Sequence, residues 1–469
     1  MKLTFKKGTI DSAPKGYVRI HLIEGLKGKR LVREKGIETL ELGVEKCKEI
    51  RRRKFILLCR SLVQTAKANK HQKIAIQFDD TLKLFKNLEG TPEELVQLAA
   101  ENFEMANFEF NLFKTKPKEG WHLVEEILLY GKSSISIEKA ARKGQEIGQA
   151  VNACRILANT PGGDMTPTLL AKAAKDAVKG LSVKATTLGQ AQMKKIGMGA
   201  VLGVAKGSTE APTFTILDYK GGKGAPIVLV GKGVTFDSGG LNLKPSNSIY
   251  EMHLDMSGGA AVIQAVALAA RLKLKKHIIG LIPAVENMPG NTAVRPGDIL
   301  KSLSGKTIEV TDTDAEGRVI LADALTYAKR FKPSVVIDVA TLTGAAHVAL
   351  GDHASALLTR DDALAEQLTR DAEASGDYVW RLPLWDEYEE KVKGTFADLS
   401  NVALGANSRL GGAIDGGMFL WQFAKELDCP WAHLDIAPRM TAAPGDTLAK
   451  GAAGVPVRLL IHFIEQWKP

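Results

Sequence analysis

Ile227-Val228-Leu229-Val230-Gly231-Lys232-Gly233-Val234-Thr235-Phe236-Asp237 is the stretch on which the fold turns. Its first four residues are a continuous apolar run, the pattern of a strand covered on both faces. The same signature returns in Ile278-Ile279-Gly280-Leu281-Ile282 and in Val335-Val336-Ile337-Asp338-Val339. Between these runs lie helix-like stretches, Gly258 to Leu272 and Gly317 to Phe331. Strands alternating with helices imply an α/β sheet with helices on its faces. Ligands of such sheets gather beyond the carboxyl ends of the strands. In the quoted stretch that is where a lysine and an aspartate stand among glycines.

Working outward, the N-terminal part alternates short apolar runs with charged segments. Ile74-Ala75-Ile76-Gln77-Phe78 and the stretch from Glu125 to Tyr130 read as strands. Thr91-Pro92-Glu93-Glu94-Leu95 opens a helix, with Thr91 as N-cap and Pro92 in the first helical position. From Ser136 to about Ala158, Ile137, Ala140, Ala141, Ile147, Val151 and Ile156 recur at mostly helical spacing. Asn159-Thr160-Pro161-Gly162-Gly163 then ends that helix. A chain of 469 residues is too long for one ordinary core. The expected organisation is a small N-terminal α/β domain over 1–135 and a connecting helix over 136–160. A larger α/β catalytic domain over 161–469 follows, with a central mixed sheet flanked by helices.

Composition narrows the class. A hydrophobic content of 45% with 25% charged residues describes an ordinary globular protein. The opening Met1-Lys2-Leu3-Thr4-Phe5-Lys6-Lys7-Gly8 lacks the apolar core of a secretory signal, and no run is long enough to span a membrane. A cytoplasmic protein is expected. Cys47, Cys59, Cys154 and Cys429 form no CxxC, which suits idle thiols rather than disulfides or a thiolate metal site. The net charge of +10 is uneven: residues 1–160 hold 30 basic against 20 acidic residues, whereas the rest balances. Arg51-Arg52-Arg53-Lys54 belongs to that excess. Such a run is usually a solvated helix end, but it also keeps DNA binding open as an alternative or additional function.

Lys232 beside glycines suggests a phosphate loop, and the spacing rejects it. Pro226 stands where the first glycine of GxxxxGK should be, and Gly233 where Ser or Thr should be. GxGxxG fails at Phe236. What remains is Lys232 and Asp237, then Lys244 and Asp255, and a second cluster in Thr311-Asp312-Thr313-Asp314-Ala315-Glu316-Gly317-Arg318 after the probable strand Thr307-Ile308-Glu309-Val310. Carboxylates this close resist ionisation unless a cation neutralises them, and hard divalent ions take oxygen ligands. Taken alone, the second cluster reads equally well as a helix cap with a surface ion pair. No HExxH and no GxSxG occurs, and His253 and His347 are lone histidines.

Asp312-Thr313-Asp314-Ala315-Glu316-Gly317-Arg318 closely resembles the Asn-Thr-Asp-Ala-Glu-Gly-Arg signature of the leucyl aminopeptidase (cytosol aminopeptidase) family. Other blocks match in family order: Val230-Gly231-Lys232-Gly233, Phe236-Asp237-Ser238-Gly239-Gly240, Asp255-Met256, Glu286-Asn287-Met288-Pro289, Arg295-Pro296-Gly297-Asp298, Ala340-Thr341-Leu342-Thr343-Gly344-Ala345 and Trp431-Ala432-His433-Leu434-Asp435. Together they cover roughly residues 150–469. The resemblance implies a two-metal exopeptidase that removes leucine and similar residues from peptide N-termini. It implies that Asp237 and Glu316 bridge two divalent ions, manganese or zinc. Asp314 would complete the more exchangeable site, and Lys232 (as a neutral amine) with Asp255 the tighter one. Lys244 would stay charged and hold the developing oxyanion, and Arg318 would anchor a bicarbonate serving as general base. Met252, Thr341 and Gly344 would line the pocket for the first side chain, with the Leu342 and Gly344 backbones holding the peptide. The family also implies a homohexamer.

Three departures stand out. Asp312 replaces the signature's asparagine. Gly163 stands where the family has asparagine in Asn-x-Pro-x-Asn-x-x-Thr-Pro. Asp415-Gly416-Gly417 replaces Thr-Ala-Ala.

Overall fold

The computed structural model describes every residue except 35, 45, 86, 406–409 and 469, and all described side chains except those of 80, 83 and 84. The chain forms two compact units. One comprises Met1–Asn152 with Pro444–Lys450, the other Ala153–Ala443 with Gly451–Pro469. The helix expected over 136–160 runs Ile135–Asn159, and the division between units falls inside it.

The first unit is built on a six-stranded sheet in the order Lys2–Lys6, Glu126–Tyr130, Lys73–Gln77, Val18–Glu24, Ile37–Val44, Lys29–Glu34. All pairs are parallel but the last. Ile74, Ile76 and Ile127 join Phe55, Val63 and Phe103 of helices Arg52–Ala68 and Pro92–Ala106 in one core. The second of those helices starts as its sequence requires. Thr91 accepts from the Glu94 amide at 3.2 Å while Glu94 accepts from the Thr91 amide at 2.8 Å, a reciprocal cap. Part of the basic excess lies on an edge strand of this sheet, Lys29–Glu34. There Arg30 pairs with Glu41, and Arg33 with Glu38 at 2.7 Å. Charged side chains on an edge strand discourage pairing with other chains.

The second unit holds a mixed sheet. Its order is Val379–Arg381, Ser355–Leu358, Trp431–Asp435, Val335–Ala340, Ile227–Gly231, His277–Asn287, Thr213–Lys220, Val183–Gly189. The four central strands, from Trp431–Asp435 to His277–Asn287, are mutually parallel, and antiparallel strands flank them. The apolar runs read from the sequence are these central strands, buried throughout. Gly233–Asp237 continues along the upper half of His277–Asn287 after a step at Lys232. Helix Ser257–Arg271 is buried along all but its last residue, which suits a sequence apolar on every side. Thr307–Val310 is a strand as expected, but it belongs to a separate three-stranded sheet with Asp298–Lys301 and Leu399–Ser400. All four parallel strands end at one edge, and every residue of chemical interest lies just beyond it.

Candidate metal centre

Four segments converge at that edge. Lys232 occupies the step between Ile227–Gly231 and Gly233–Asp237, its amide donating to Val339 at 3.0 Å and its carbonyl accepting from Gly259 at 2.7 Å. Asp237 ends the second of these strands. Asp255 lies in the 3-10 turn Met252–Met256, which runs straight into the buried helix. Glu316 is the first residue of helix Glu316–Ala328. The approach is so close that only glycine fits at two positions. A Cβ on Gly317 would lie 2.6 Å from Lys232 Nζ, and one on Gly258 would lie 2.1 Å from the Val339 oxygen.

Asp237, Asp255 and Glu316 are buried, and each presents an oxygen within 4.8 Å of the others. Lys232 Nζ lies 2.8 Å from Asp255 Oδ2 and 2.8 Å from Glu316 Oε1. Lys244 Nζ lies 2.9 Å from Asp237 Oδ2 and 2.5 Å from Asp314 Oδ1. In each aspartate of the inner set, one oxygen is pinned and the other faces the cluster. Asp237 Oδ1 accepts from Asn287 Nδ2 at 2.8 Å and from the Gly239 amide at 2.9 Å. Asp255 Oδ1 accepts from the Thr341 hydroxyl at 2.6 Å. Asp255 Oδ2, Glu316 Oε1 and Asp314 Oδ1 are buried and accept no directional hydrogen bond, although a lysine ammonium stands close to each. Each of these oxygens faces an ammonium, and a carboxylate oxygen so engaged keeps a further lone pair for another ligand.

The electrostatics say the same. Four carboxylates face two ammonium groups. Burial pushes Asp255 well up, with Lys232 opposing and Glu316 and Asp237 reinforcing. Asp237 rises through burial and the nearby Glu316. Asp314 is pushed up to about 7 by burial and by Asp237, against Lys244. Glu316 moves the other way: burial would raise it, but Lys232 and Lys244 hold it low. Both lysines are disfavoured as cations by burial, yet the surrounding carboxylates raise them on balance. The cluster is short of positive charge, and its unspent lone pairs are oxygens. That donor set fits hard divalent cations.

The other residues singled out from the sequence fall around this cluster. Thr341 is buried, and its carbonyl accepts from Lys232 Nζ at 2.9 Å. Leu342 follows it, and Gly344 opens helix Gly344–Leu350. Met252 shares the turn of Asp255. Arg318 is buried one half-turn along the helix from Glu316, and its Nη1 donates to the Asn401 carbonyl at 2.8 Å. Burial disfavours its charge, while Asp415, Asp435, Glu316 and Asp312 favour it. His347 pairs instead with Asp352 at 2.5 Å.

The departures acquire local roles. Asp312 Oδ1 accepts from the Asp314 amide at 2.9 Å, a turn bond that an asparagine oxygen makes equally well. At Gly163 a Cβ would meet nothing within 4 Å. Asp415 is buried, with Oδ2 3.2 Å from Lys391 Nζ and Oδ1 without a hydrogen bond, and burial raises its pKa. Two residues that sequence reasoning left without a role also belong here. Asn287 ties Asp237 to the Thr313 carbonyl at 2.9 Å, joining the two clusters. Asp435 holds the Leu342 amide at 3.0 Å. Both stand in the blocks that carry the family resemblance, which attached no role to either.

Known proteins match this arrangement over most of the chain. The catalytic domain of the cytosol aminopeptidase family matches residues 152–461. A probable cytosol aminopeptidase of Roseiflexus castenholzii is 45% identical over 387 residues, 81% of this chain and 78% of that protein. One of Methylobacillus flagellatus is 37% identical over 466 residues, 98% and 90% of the two chains. Among solved structures, a mutant tomato leucine aminopeptidase superposes with a TM-score of 0.87 at 28% identity, covering 100% of this chain and 97% of that one. The bottromycin maturation enzyme BotP in complex with Mn gives 0.86 at 29% identity, covering 96% and 99%.

Proposed function

Because the chain belongs to the cytosol aminopeptidase family and is a metal-dependent aminopeptidase, we propose that its carboxylate cluster holds two divalent ions, manganese or zinc, in a defined division of labour. Asp237, Asp255, Asp314 and Glu316, with Lys232 as a neutral amine, would hold the ions, Asp237 and Glu316 being the acids that both ions would share. The observation that carries this reading is the set of buried oxygens converging within 4.8 Å with lone pairs left over. Bound there, the ions would supply Lewis-acid polarisation of the scissile carbonyl and lower the pKa of the attacking water so that it gives up a proton near neutral pH.

The chain's own groups do the rest. Lys232 serves as a ligand only when neutral, and the carboxylates around it favour its charge, so their negative charge must be compensated before it gives up a proton. Lys244, held charged by Asp237 and Asp314, donates toward the oxygen on which negative charge develops. Arg318, whose Nη1 donates to the Asn401 carbonyl at 2.8 Å, would hold a bicarbonate that supplies a proton acceptor. Met252, Thr341 and Gly344 line the pocket for the first side chain, and the main chain at Leu342 and Gly344 holds the peptide. Leucine and similar residues are the first residues we propose, in line with the tomato leucine aminopeptidase that the chain resembles.

The test is hydrolysis of an aminoacyl-arylamide panel across a metal series. Turnover of leucine arylamide that disappears on chelation and returns with manganese, zinc or cobalt supports the reading. Fully metallated protein that hydrolyses no N-terminal amide refutes it.

We also infer a homohexamer in the cytoplasm. The assembly is the one the family resemblance implies, and Val348, Tyr250 and Phe396 are exposed in the isolated chain. Among the described residues no helix is long and apolar enough to cross a membrane. DNA binding by the basic N-terminal region is not favoured. Arg30, Arg33, Lys46 and Lys70 each lie in an ion pair with a glutamate of their own unit.

A further inference from the structure

Strands Val335–Ala340 and Trp431–Asp435 run parallel and end side by side, Ala340 opposite Asp435. The Ile436 amide closes the pair by donating to the Ala340 carbonyl at 2.8 Å. Past Ala340 the chain enters the segment Thr341 to Gly344, and that segment is held at both ends. At the front, the Thr341 hydroxyl donates to Asp255 at 2.6 Å and its carbonyl accepts from Lys232 at 2.9 Å. At the back stands Asp435, fully buried. Its Oδ1 accepts from the Leu342 amide at 3.0 Å and from the Ala437 amide at 3.1 Å. Its Oδ2 accepts from the Thr343 hydroxyl at 2.6 Å, and that hydroxyl in turn accepts from the Ala346 amide at 3.1 Å.

One buried carboxylate therefore fixes two successive residues of the loop, one by its main chain and one by its side chain. Bonds to an ionised acceptor are stronger and more directional than neutral ones. The Leu342 amide is committed inward, so the polar main-chain group this residue has left for a ligand is its carbonyl. A peptide plane is rigid. Holding the amide on one side thus sets the direction in which the preceding Thr341 carbonyl points, toward Lys232. The bond to the Thr343 hydroxyl anchors the residue that follows, next to the Leu342 carbonyl.

We propose that Asp435 is a positioning residue for peptide recognition. It orients the Leu342 main chain toward substrate and keeps Thr341 seated on the cluster, without itself touching substrate. The inference rests on the reading of Thr341 to Gly344 as the peptide-binding loop, so the experiment separates the two.

Three variants of the full chain are compared at saturating metal: Asp435→Ala, Asp435→Asn and Gly344→Val. Asparagine keeps one acceptor for the Leu342 amide and loses the charge. A side chain at Gly344 meets nothing within 4 Å, so that variant probes the ligand side of the loop without disturbing its packing. The expected result is a rise in KM for leucyl peptides of about tenfold in D435A and about threefold in D435N, with kcat within about threefold of wild type. Metal content per subunit stays at the wild-type value. Should D435A fail to fold, the KM of D435N decides. Unchanged KM in both Asp435 variants, or a loss of bound metal that accounts for the defect, overturns the role of Asp435. If G344V leaves KM unchanged as well, the loop reading has failed; if G344V raises KM and the Asp435 variants do not, only the present inference has.

Discussion

The Lys232 ammonium and the Thr341 carbonyl meet at 2.9 Å, and this bond joins the carboxylate cluster to the loop beyond strand Val335–Ala340. Lys232 also stands 2.8 Å from both Asp255 and Glu316. One side chain thus serves the acids and the loop together. Lys232→Met removes a nitrogen ligand and leaves buried carboxylates without their counter-charge. We expect kcat/KM to fall by about 100-fold or more and bound metal to fall by about one ion per subunit. Steady-state kinetics with elemental analysis checks both.

Asn287 should act at one remove. Its amide orients Asp237 at 2.8 Å and spans to the Thr313 carbonyl at 2.9 Å. Groups that orient a ligand typically contribute about 10–100-fold in metal affinity. Asn287→Ala is therefore expected to weaken metal binding by that factor, with most of kcat returning at high metal. Calorimetric titration of the apo-protein gives the affinity, and full affinity in the variant would remove Asn287 from the account.

Chelation should cost stability as well as activity. Ions that bind only the folded chain stabilise it by mass action, about 2.7 kcal/mol at a hundredfold excess over Kd. The apo-protein is thus expected to melt several degrees lower, and manganese or zinc to restore the transition. Scanning calorimetry before and after dialysis against a chelator reads this. A melting temperature indifferent to metal would show that the cluster is not where the ions bind.

Asp323 supplies a pH dependence far from the chemistry. It is fully buried and accepts from the amides of Ala200, Val201 and Leu303 at 3.0, 2.9 and 2.7 Å. Burial pushes its pKa up to about 7, with those amides opposing. The unfolded chain loses this proton near pH 3.9, earlier than the folded one. The stability from the protonated form is therefore full below about pH 4, declines by about 1.4 kcal/mol per unit, and is gone above about 7. Asp323→Asn abolishes that slope. Because asparagine still accepts through one oxygen, the variant should fold. Urea unfolding of both proteins between pH 4 and 8 measures the difference, and parallel curves would refute the assignment.

The sheet was readable because its central strands are covered on both faces. Ile227–Gly231 and Val335–Ala340 announce themselves as unbroken apolar runs. Thr307–Val310 shows the limit of that signal. Its residues say strand, but which sheet it joins depends on Asp298–Lys301 and Leu399–Ser400, remote in sequence and too short to carry a pattern. Lys232 and Asp237 were visible as charges among glycines after a buried strand, and Asp314 and Glu316 as an acidic cluster before a helix. Asp255 and Lys244 gained meaning only from the matching blocks around them. Asn287 and Asp435 stood in blocks that match the family, but their roles were not readable, since a single polar residue looks like any turn former until its partners are known. For Asp312, only the bond to the Asp314 amide shows why an acid can stand where the family has an amide.

The segment Pro444–Lys450 leaves the unit that surrounds it in sequence and joins the other, where the Asp446 carbonyl accepts from buried Arg60 at 3.0 Å. The N-terminal unit is therefore not a detachable leader. A truncation at the end of Met1–Asn152 would strip that short excursion of its own partners, and grafting the unit onto another enzyme would require two pieces of chain. Gain, loss or exchange of this unit by simple terminal fusion is correspondingly difficult, and its divergence is expected to proceed by substitution within a fixed frame.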